Sequence, residues 1–527
     1  MYYVVGSGPS GVFAALALVE AGVQVTMLDV GRQCEPDRLR TVEALARLSP
    51  EAWPDELLAR IEPPNRVGVE RKLCYGSDFA YADDAQIPLS QHGTSCLQSY
   101  ARGGLSNVWG AAVLPFLAED MAGWPITHDE LAPHYRRVAD FLGIAGVRDD
   151  DLEGLFPYYQ PPRKAPRLSR QARWLLDRMR LRRDQLRSDG FYFGQSRLAV
   201  RTEDDGSGHV CRKTGRCLEG CPYMAIWSAG DVLRHLQRHP NFTYLDGVQI
   251  GRVASDQNGV RLYGRRTDTG EPAVFEGERA LLACGPLATA SIVAASLGSY
   301  GVPLRLQYQP YFLLPMLAAH NIPDVDRERP HALAQLFVGV RDDSISPHPV
   351  HLQVYTYNSL LRTRIEQAAR LFGPWREWAA RQILGRALIM QGYLHSGCAD
   401  GIDVVPEQDI KTGTARLRLV ARRQARARQL VRRVVTKLVR HTRDMGALAL
   451  MPWLRHGLPG EGNHIGGIFP MRERPSRFET DVCGSLPELP RIHLVDASVL
   501  PDLPATTFTY TVMANAHRIA TTTVDMA

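Results

Sequence analysis

The sequence predicts an α/β protein of more than one structural unit, with a nucleotide-binding unit at its N-terminus. Three observations lead to this prediction: the length of 527 residues, the composition, and a strand–turn–helix–strand pattern in the first 31 residues. With 45% hydrophobic and 22% charged residues, the chain is neither collagen-like nor disordered. A typical domain has about 150 residues, so we expect several units with a large buried core.

The N-terminal pattern is that of a dinucleotide-binding unit. Its parts are a strand from Tyr2 to Val5, a turn with Gly6, Gly8 and Gly11, a helix from Val12 to Glu20, and a strand from Val23 to Leu28 that ends at Asp29. Such a turn alone is a weak signal, but here it joins a strand to a helix and an acid follows 18 residues after Gly11.

Each glycine of this turn has a physical role in the dinucleotide interpretation. Gly6 would form the tight turn, Gly8 would let the backbone approach a pyrophosphate, and Gly11 would let the helix pack on the strand. The helix N-terminus would face the phosphates, and Asp29 would accept hydrogen bonds from the adenosine ribose. The alternative is a purely structural glycine turn.

The cysteine content favours a reduced, cytoplasmic protein. The formal net charge is +6, which is small for this length and does not imply nucleic-acid binding. The nine cysteines are an odd number, which disfavours a fully disulfide-paired secreted fold. The uncharged stretches 1–19 and 280–304 are interrupted by glycine and proline, so we expect no signal peptide and no transmembrane helix. Export with a partner that carries its own signal stays open.

Four later motifs indicate which dinucleotide to expect. They are Arg102-Gly-Gly-Leu-Ser-Asn-Val-Trp-Gly110, His464-Ile-Gly-Gly-Ile-Phe-Pro-Met471, Leu494-Val-Asp-Ala-Ser-Val-Leu-Pro501 and the run from Thr507 to Ala520. With them the chain resembles, from end to end, the glucose–methanol–choline (GMC) oxidoreductases, FAD enzymes that oxidise alcohols. Within that family it is most similar to the branch of pyranose oxidase and the bacterial sugar dehydrogenases, through the Gly-Gly-x-Ser-x-x-Trp pattern and the segment Trp124–Tyr135.

The resemblance implies a fold with two domains. The expected class is α/β (α+β overall), with a Rossmann-like FAD-binding domain and an inserted substrate domain built on an antiparallel sheet. The FAD-binding domain would comprise residues 1–123, 191–303 and 455–527, and the substrate domain residues 124–190 and 304–454. In residues 304–454, two predicted strands alternate between apolar and polar residues. Their polar residues are Gln353, Tyr355, Gln391 and His395, which either line a pocket for a hydroxyl-rich substrate or are half exposed.

The resemblance also implies the contacts to FAD. The expected positions are Gly103, Gly104, Ser106 and Asn107 in a second flavin loop, Val248 in a strand 242–253, the turn Ala283–Pro286, and Asp496 with Ala497 in a late turn. Relatives with covalently bound flavin attach it to a histidine at the position of Val108. We therefore expect FAD to be bound non-covalently.

The resemblance makes His464 the catalytic base, because hydride loss from C–H is easy only as the hydroxyl gives up its proton. A histidine suits that task; the alternative is an ordinary loop histidine. The partner position, His or Asn in relatives, is Thr507. Its hydroxyl can donate a hydrogen bond to the substrate but cannot share acid–base work at neutral pH. Asn515 and His517 are expected to be structural.

Three cysteines form a second chemical motif, Cys211-x5-Cys217-x3-Cys221, followed by proline. Such a run is typical of iron–sulfur ligation, and membrane-linked sugar dehydrogenases of the family hold a three-iron cluster on a run with one residue fewer in the first gap. Zinc would need a fourth ligand such as His209, and unligated thiols would pack as small hydrophobic groups. With a cluster, electrons would leave to an external acceptor protein.

Residues 416–443 hold ten arginines in a helical pattern with an apolar stripe. The signals of a nucleic-acid-binding fold are absent, so we expect a solvated face; docking to an anionic partner or a membrane surface is the alternative.

The function expected from the sequence is the oxidation of a CH–OH group in a small sugar- or polyol-like substrate, with FAD as cofactor and an external electron acceptor. Two alternatives stay open: oxidation of an apolar alcohol such as a sterol, and a non-catalytic flavin electron-relay subunit.

Overall fold

The computed structural model describes residues 1–62, 72–82, 89–206, 208–358, 362, 365–366, 369–408 and 415–526. Within these ranges the α-helices are α1 (Pro9–Glu20), α2 (Pro36–Ala46), α3 (Asp55–Ile61), α4 (His128–Leu142), α5 (Arg170–Leu181), α6 (Arg183–Ser188), α7 (Ala229–Leu236), α8 (Pro286–Leu297), α9 (Arg376–Leu384), α10 (Ala425–Arg440), α11 (Thr442–Met445) and α12 (Thr509–Asp525).

The strands of the same ranges are β1 (Tyr2–Val5), β2 (Val25–Leu28), β3 (Leu89–His92), β4 (Ala145–Gly146), β5 (Arg163–Lys164), β6 (Phe191–Gln195), β7 (Phe242–Leu245), β8 (Val248–Ser255), β9 (Val260–Arg266), β10 (Pro272–Gly277), β11 (Arg279–Leu282), β12 (Leu304–Tyr308), β13 (Tyr311–Ala318), β14 (Leu336–Asp342), β15 (Ser346–Tyr355), β16 (Ala387–Tyr393), β17 (Ile402–Gln408), β18 (Ala415–Ala421), β19 (Ala447–Ala449), β20 (Arg455–His456), β21 (Ile465–Gly466), β22 (Ser485–Leu486) and β23 (Leu489–Leu494).

The N-terminal unit is the centre of a six-stranded sheet with the order β22-β23-β11-β1-β2-β7. Strand β1 pairs in parallel with both β2 and β11 and is buried along its whole length, as a central parallel strand should be. Helix α1 starts at Pro9, earlier than predicted, because proline suits the first helical position. It is buried on nearly all sides, since α7 and α12 also pack on it.

The single strand predicted for residues 242–253 is wrong. Residues 242–245 form β7 in the parallel sheet, whereas β8 starts at Val248 in a separate three-stranded sheet with β9 and β10. Between them Gly247 has φ +68°, a left-handed conformation that turns the chain and that glycine adopts readily.

A seven-stranded antiparallel sheet carries the substrate side. Its order is β19-β13-β16-β15-β14-β6, and β20 also pairs with β13. Side chains alternate between the two faces of a strand, so Leu352 and Val354 of β15 are buried in one core with α5 and α10. Gln353 and Tyr355 lie on the other face, and Gln353 pairs with Gln391 of β16. The predicted fold class, with an antiparallel sheet inserted into a Rossmann-like unit, is confirmed.

Two of the predicted domain boundaries fall one strand too early. Strand β6 (Phe191–Gln195) pairs with β14, and β20 (Arg455–His456) pairs with β13. Both strands therefore belong to the antiparallel sheet, although the sequence places the starts of FAD-binding segments at 191 and 455. The hydrogen-bonding partners of a short strand are remote in sequence, so its sheet could not be assigned from local pattern. The division into two domains stays a prediction.

A five-stranded sheet with the order β21-β12-β17-β18-β3 joins the two sides. In it β12 pairs antiparallel with β21, with Tyr308 opposite Ile465. The residues next to this pair are Gln309 and His464. The backbone N–H of Gln309 donates to the backbone carbonyl oxygen of His464 at 3.1 Å. This register brings the predicted base beside a glutamine 155 positions earlier in the chain.

Every helix in the described ranges is too short or too polar to cross a bilayer.

Candidate functional site

A cavity of about 420 Å³ lies where the three larger sheets meet. Its lining includes the glycine turn, Asp29 and Val248 on one side, and His464, Thr507 and the polar face of β15 and β16 on the other. Ligand sites commonly occupy such clefts between structural units. The cavity therefore brings together most of the residues that the sequence predicts for cofactor and catalysis.

The glycine turn has the geometry that the sequence predicts. A Cβ atom on Gly11 would lie 2.0 Å from the Gly6 carbonyl oxygen, so only glycine permits this close packing of α1 on the turn. Gly6 itself has φ +99°. A Cβ atom on Gly8 would meet nothing within 4 Å, because this position faces the cavity at the N-terminus of α1. Amide groups of a first helical turn have no acceptor within the helix, so this end suits a pyrophosphate.

Asp29 lies at the end of β2 and lines the cavity. Its buried carboxylate accepts hydrogen bonds from the Ser7 hydroxyl and, at 3.0 Å, from the Tyr244 hydroxyl. Burial raises the pKa of Asp29 to about 6, although the two hydroxyl groups act in the opposite direction. Asp29 is thus held as an acceptor where the sequence places the ribose contact. Ser7 and Tyr244 were missed because their role depends on packing between β1, β2 and β7.

The predicted flavin loop that contains Gly103, Gly104, Ser106 and Asn107 packs on the glycine turn. The Gly103 amide donates to Ser7 Oγ at 2.9 Å, and a Cβ atom on Gly104 would lie 3.2 Å from Gly8 Cα. Ser106 Oγ accepts from the Ala229 amide at 2.9 Å, which ties the loop to the start of α7.

The four predicted residues of this loop have two kinds of position. Gly104 and Ser106 line the cavity, whereas Gly103 and Asn107 do not. The Asn107 side chain donates to the carbonyl oxygens of Arg102 and Gly104 at 3.0 and 2.7 Å. Asn107 therefore holds the loop in shape, and a direct flavin contact by its amide stays a prediction.

Val248 lies beside Asp29, as its predicted role requires. It lines the cavity, and its amide donates to the Asp29 carbonyl oxygen at 2.9 Å. The position follows from the turn at Gly247, which brings the first residue of β8 back to the end of β2.

The Asp496 carboxylate joins two chain segments, its own turn and the segment that starts helix α8. It accepts hydrogen bonds from the Gly285 amide at 2.9 Å, the Thr289 hydroxyl at 2.6 Å and the Ser498 amide at 2.9 Å. Burial raises its pKa, and these donors counteract the shift. The bonds fix the turn before α8 and the turn at Ala497, both of which line the cavity. Asp496 thus supports the cavity wall, and its contact with FAD stays a prediction.

His464 is held on several sides. Its Nδ1 atom lies 2.5 Å from Gln309 Oε1, its ring stacks on Tyr393 with 4.9 Å between centroids, and Phe508 packs edge-on. Burial lowers the pKa of His464 to about 4, so the ring is neutral at physiological pH. The Tyr393 and Phe508 rings limit its rotation.

Gln309 determines which ring nitrogen of His464 carries the proton. Its side-chain nitrogen donates to two carbonyl oxygens, of Pro504 and, at 2.9 Å, of Thr506. The amide oxygen must therefore face His464, and an oxygen there accepts from Nδ1–H. The other nitrogen, Nε2, keeps its lone pair. No local motif marks Gln309, because its role follows from the pairing of β12 with β21.

Thr507 lies in the cavity wall close to Phe508. Its Oγ1 atom accepts from the Leu114 amide at 3.0 Å, which leaves the hydroxyl proton to be donated. This is the geometry expected of a hydrogen-bond donor without an acid–base role. Asn515 and His517 lie on α12 and do not line the cavity.

The polar face predicted for the two strands lines the cavity at three of its four positions. Gln353, Tyr355 and Gln391 do so, together with Tyr393. The Tyr355 hydroxyl donates to Gln353 Oε1 at 3.0 Å, and Gln391 Nε2 donates to the Tyr393 hydroxyl at 2.5 Å. These groups are neutral donors and acceptors, which suits a ligand with several hydroxyl groups.

His395 is the exception on this face. It stacks on His348 with 3.7 Å between ring centroids, its Nδ1 accepts from the Gly397 amide, and Nε2 lies 3.5 Å from Asp502. It lies two residues beyond Tyr393, the last residue of β16, so strand alternation no longer fixes its direction. The pocket role considered for His395 is therefore wrong.

The three cysteines of the second motif line one void of about 20 Å³ together with His331, whose two ring nitrogens are buried without a hydrogen-bond partner. Burial raises the pKa of Cys217 to about 12 and also raises that of Cys221. Among the described residues, no group of three or more His, Cys, Asp or Glu side chains is arranged to hold a metal ion. A void of this size holds about one water molecule, so the arrangement of Cys211, Cys217 and Cys221 does not fit an iron–sulfur cluster.

The glycine turn, the loop docked on it and the histidine across the cavity fit a bound FAD. The observation that carries this fit is the open space at Gly8, where the backbone borders the cavity without a side chain. The fold and the arrangement of this site agree with the resemblance to GMC oxidoreductases that the sequence motifs indicate.

Comparison with known proteins gives its relatives. The structure is similar to the crystal structure of pyridoxine 4-oxidase from Mesorbium loti over 99% of both chains, with a TM-score of 0.62 and 16% identity. The 6'''-hydroxyparomomycin C oxidase of Streptomyces lividus is 26% identical over 317 residues, which are 56% of this chain and 50% of the relative. The paromamine 6'-oxidase of Streptomyces fradiae is 26% identical over 264 residues, 48% of this chain and 41% of the relative.

These comparisons show that the chain shares its fold with pyridoxine 4-oxidase and part of its sequence with two Streptomyces oxidases. No family model matches the chain. The matches span about half the length of the two Streptomyces proteins or less. Placement in the branch of pyranose oxidase and the sugar dehydrogenases stays a prediction.

Two glycine substitutions separate the roles of the turn. Gly8→Ala should leave the free energy of unfolding of the apoprotein within about 0.5 kcal/mol of wild type, because its φ of −66° suits alanine. It should weaken FAD binding, because the new methyl group enters the cavity. Gly11→Ala should destabilise the apoprotein by about 2 kcal/mol or more, through contact with the Gly6 carbonyl. Urea unfolding and FAD titration measure both; tight FAD binding by Gly8→Ala would contradict this assignment.

The cysteine geometry predicts a protein without a cluster. Anaerobically purified protein should contain FAD but only traces of iron and acid-labile sulfide, and Cys211, Cys217 and Cys221 should react as free thiols after unfolding. Elemental analysis and thiol titration check this. About three irons and matching sulfide per chain would show that the three cysteines rearrange around a cluster.

Proposed function

We propose that the protein binds FAD non-covalently and oxidises a CH–OH group of a sugar- or polyol-like substrate to the carbonyl, with electrons passing to an external acceptor. The observation that carries this proposal is the neutral His464, fixed by Gln309 in a cavity that the dinucleotide turn and a polar wall share. Val108 replaces the attachment histidine of covalent relatives, which supports non-covalent binding.

The chain's own residues would hold FAD at two places. The glycine turn and the N-terminus of α1 would face its pyrophosphate, and Asp29 with the Val248 backbone would border its adenosine part. Bound FAD would supply the acceptor for the substrate hydride, at its N5 atom. The main sequence requirement for this binding is glycine at position 8, because any side chain there would enter the cavity.

His464 would take the hydroxyl proton of the substrate. With Nδ1–H donated to Gln309, the Nε2 lone pair is the acceptor that remains. Nε2 then carries the proton while the C–H bond transfers its hydride, so one proton and one hydride leave the alcohol. A neutral imidazole is needed for this step, and burial keeps His464 neutral by lowering its pKa to about 4.

Thr507 would position the substrate without exchanging protons. Its Oγ1 is already an acceptor for the Leu114 amide, so its proton is directed to a group in the cavity, such as the substrate oxygen. A two-base mechanism is not required, because one base and one fixed donor balance the reaction.

The polar wall favours a substrate with several hydroxyl groups. Gln353, Tyr355 and Gln391 offer neutral donors and acceptors, which a sterol would leave without partners at a cost in binding. The relatives support the same class of reaction, since their names describe oxidases of pyridoxine, 6'''-hydroxyparomomycin C and paromamine.

Removal of the base tests the proposal. His464→Ala should keep bound FAD but slow anaerobic flavin reduction by an alcohol substrate by about a hundredfold to ten-thousandfold, the usual contribution of a general base. His348→Ala is the matched control, because His348 lies outside the cavity beside His395. Stopped-flow absorbance measures both rates; an unchanged rate in His464→Ala would remove it as the base.

The pH profile tests the part played by Gln309. In wild type kcat/KM should be lost only as pH falls through about 4, where His464 becomes charged. Gln309→Glu places a carboxylate beside Nδ1 and favours the imidazolium, so the acid limb should move to higher pH by about one unit or more.

Gln307→Glu is the control for this profile. The Gln307 side chain forms hydrogen bonds with the Pro501 carbonyl and the Ser396 hydroxyl, and not with His464. The acid limb of the kcat/KM profile of Gln307→Glu should therefore stay at the wild-type pH. An unshifted profile in Gln309→Glu, with normal folding, would contradict the role of Gln309.

A further inference from the structure

The cavity wall carries one lysine. Among the described residues that line the cavity, Lys72 is the only lysine or arginine. Its Nζ atom donates to the Trp109 carbonyl oxygen at 3.1 Å, and an ammonium group has two further N–H donors. The Tyr81 hydroxyl donates to the backbone carbonyl oxygen of Lys72 at 2.9 Å and fixes its backbone in the wall. Lys72 therefore brings a positive charge to the cavity.

This charge has no counter-charge in the wall. In the described part of the cavity lining, the carboxylates belong to Asp29 and Asp496, whose hydrogen bonds come from hydroxyl and backbone amide groups. Burial lowers the pKa of Lys72, and three nearby thiols act in the opposite direction. A buried charge is costly unless it is paired. An anionic group that enters the cavity would offset this cost.

The bond to Trp109 places Lys72 at the polar wall. Trp109 is followed by Gly110, where a Cβ atom would lie 3.8 Å from the Tyr355 hydroxyl of β15. Trp109 is held in this place, because its Nε1 donates to the Trp227 carbonyl oxygen at 2.8 Å. The carbonyl that Lys72 contacts thus belongs to a fixed residue beside the polar face of β15.

His464 contacts the same wall farther along the sheet. Its ring stacks on Tyr393, and Tyr393 of β16 pairs with His351 of β15. His351 and Tyr355 are four residues apart on β15, so the two contacts are separated by about 13 Å along the strand. A substrate of this length would reach both His464 and Lys72.

The oxidation itself does not require the charge of Lys72. The FAD pyrophosphate would lie at Gly8, which packs on Gly104, whereas Lys72 contacts the chain five residues later at Trp109. Oxidation also brings no net charge into the cavity, because the proton and the hydride of one alcohol both remain in it. The counter-charge of Lys72 is therefore expected from the substrate.

On the basis of the function proposed above, we infer that Lys72 binds a carboxylate of the substrate, so that the protein oxidises a hydroxyl group of a sugar acid or a similar polyhydroxy acid. The carboxylate is unchanged in the reaction, in which the alcohol loses one proton to His464 and one hydride to FAD. One ammonium group balances one negative charge, which suits a carboxylate better than a doubly charged phosphate. An amino sugar would bring a second positive charge to Lys72 and would be repelled.

Anaerobic flavin reduction with matched substrate pairs tests the inference. Gluconate and glucitol differ at one terminal carbon, which is a carboxylate in the first and a hydroxymethyl group in the second; glucuronate and glucose form a second pair. With the FAD-loaded protein, the acid of a pair should have an apparent Kd about tenfold to hundredfold lower than its neutral partner. Glucosamine should bind more weakly than glucose. Stopped-flow absorbance separates the Kd from the limiting rate of reduction.

Substitution of Lys72 shows whether it causes this preference. Lys72→Met removes the charge but keeps a long side chain, and it should abolish the preference through the Kd of the acid. Lys72→Arg keeps the charge and should retain the preference in part. Lys164→Met is the matched control, because Lys164 is exposed on β5 and does not line the cavity. It should keep the wild-type ratio of the two Kd values.

The possible failures are distinguishable. FAD content and unfolding midpoints equal to wild type exclude a folding defect in each variant. The inference is overturned, and the proposed function stands, if glucitol or glucose reduces the flavin as readily as its acid, or if Lys72→Met keeps the preference. A changed FAD affinity or flavin midpoint potential in Lys72→Met, with the preference intact, would assign Lys72 to the cofactor instead. Flavin that no alcohol reduces would contradict the proposed function itself.

Discussion

The close approach of helix α1 to the turn before it is the constraint on which the site depends. No Cβ atom fits between Gly11 and the Gly6 carbonyl, and Gly6 in turn lies against the backbone of Ala283. The loop that starts at Gly103 then docks on Gly8 from the other side. Three chain segments that are far apart in sequence thus share one contact region made of backbone, and the cavity borders it. A side chain at Gly11 would separate these segments and the walls they form.

The second constraint is the register between β12 and β21. It places Gln309 beside His464, and the two carbonyl acceptors of the Gln309 side chain leave only its oxygen for the histidine. A neutral hydrogen-bond acceptor fixes the tautomer without charging the ring. The cavity can therefore keep a buried histidine neutral and ready to accept a proton, which an acidic partner in the same place would oppose.

Local patterns in the sequence predicted the elements that depend on neighbours along the chain. The glycine turn, its helix and the polar alternation of β15 and β16 are of this kind, because backbone conformation and strand periodicity are set within a few residues. Residues whose role depends on remote pairing were missed: Tyr244 beside Asp29, and Gln309 beside His464. The spacing of the three cysteines was also insufficient to predict a metal site, because sequence spacing does not determine whether the sulfur atoms lie close enough together to bind a metal. His395 was misassigned because alternation ends with its strand.

We propose above all that this cavity binds FAD and uses it to oxidise a polyhydroxy alcohol. Anaerobic absorption spectroscopy of the purified protein, titrated with a panel of sugars and polyols and with a sterol for comparison, tests it most directly. We expect bound oxidised FAD that is bleached by at least one polyol and not by the sterol. A protein that binds no FAD, or whose FAD stays oxidised with every alcohol, would contradict the claim, and bleaching by the sterol alone would reverse the substrate class.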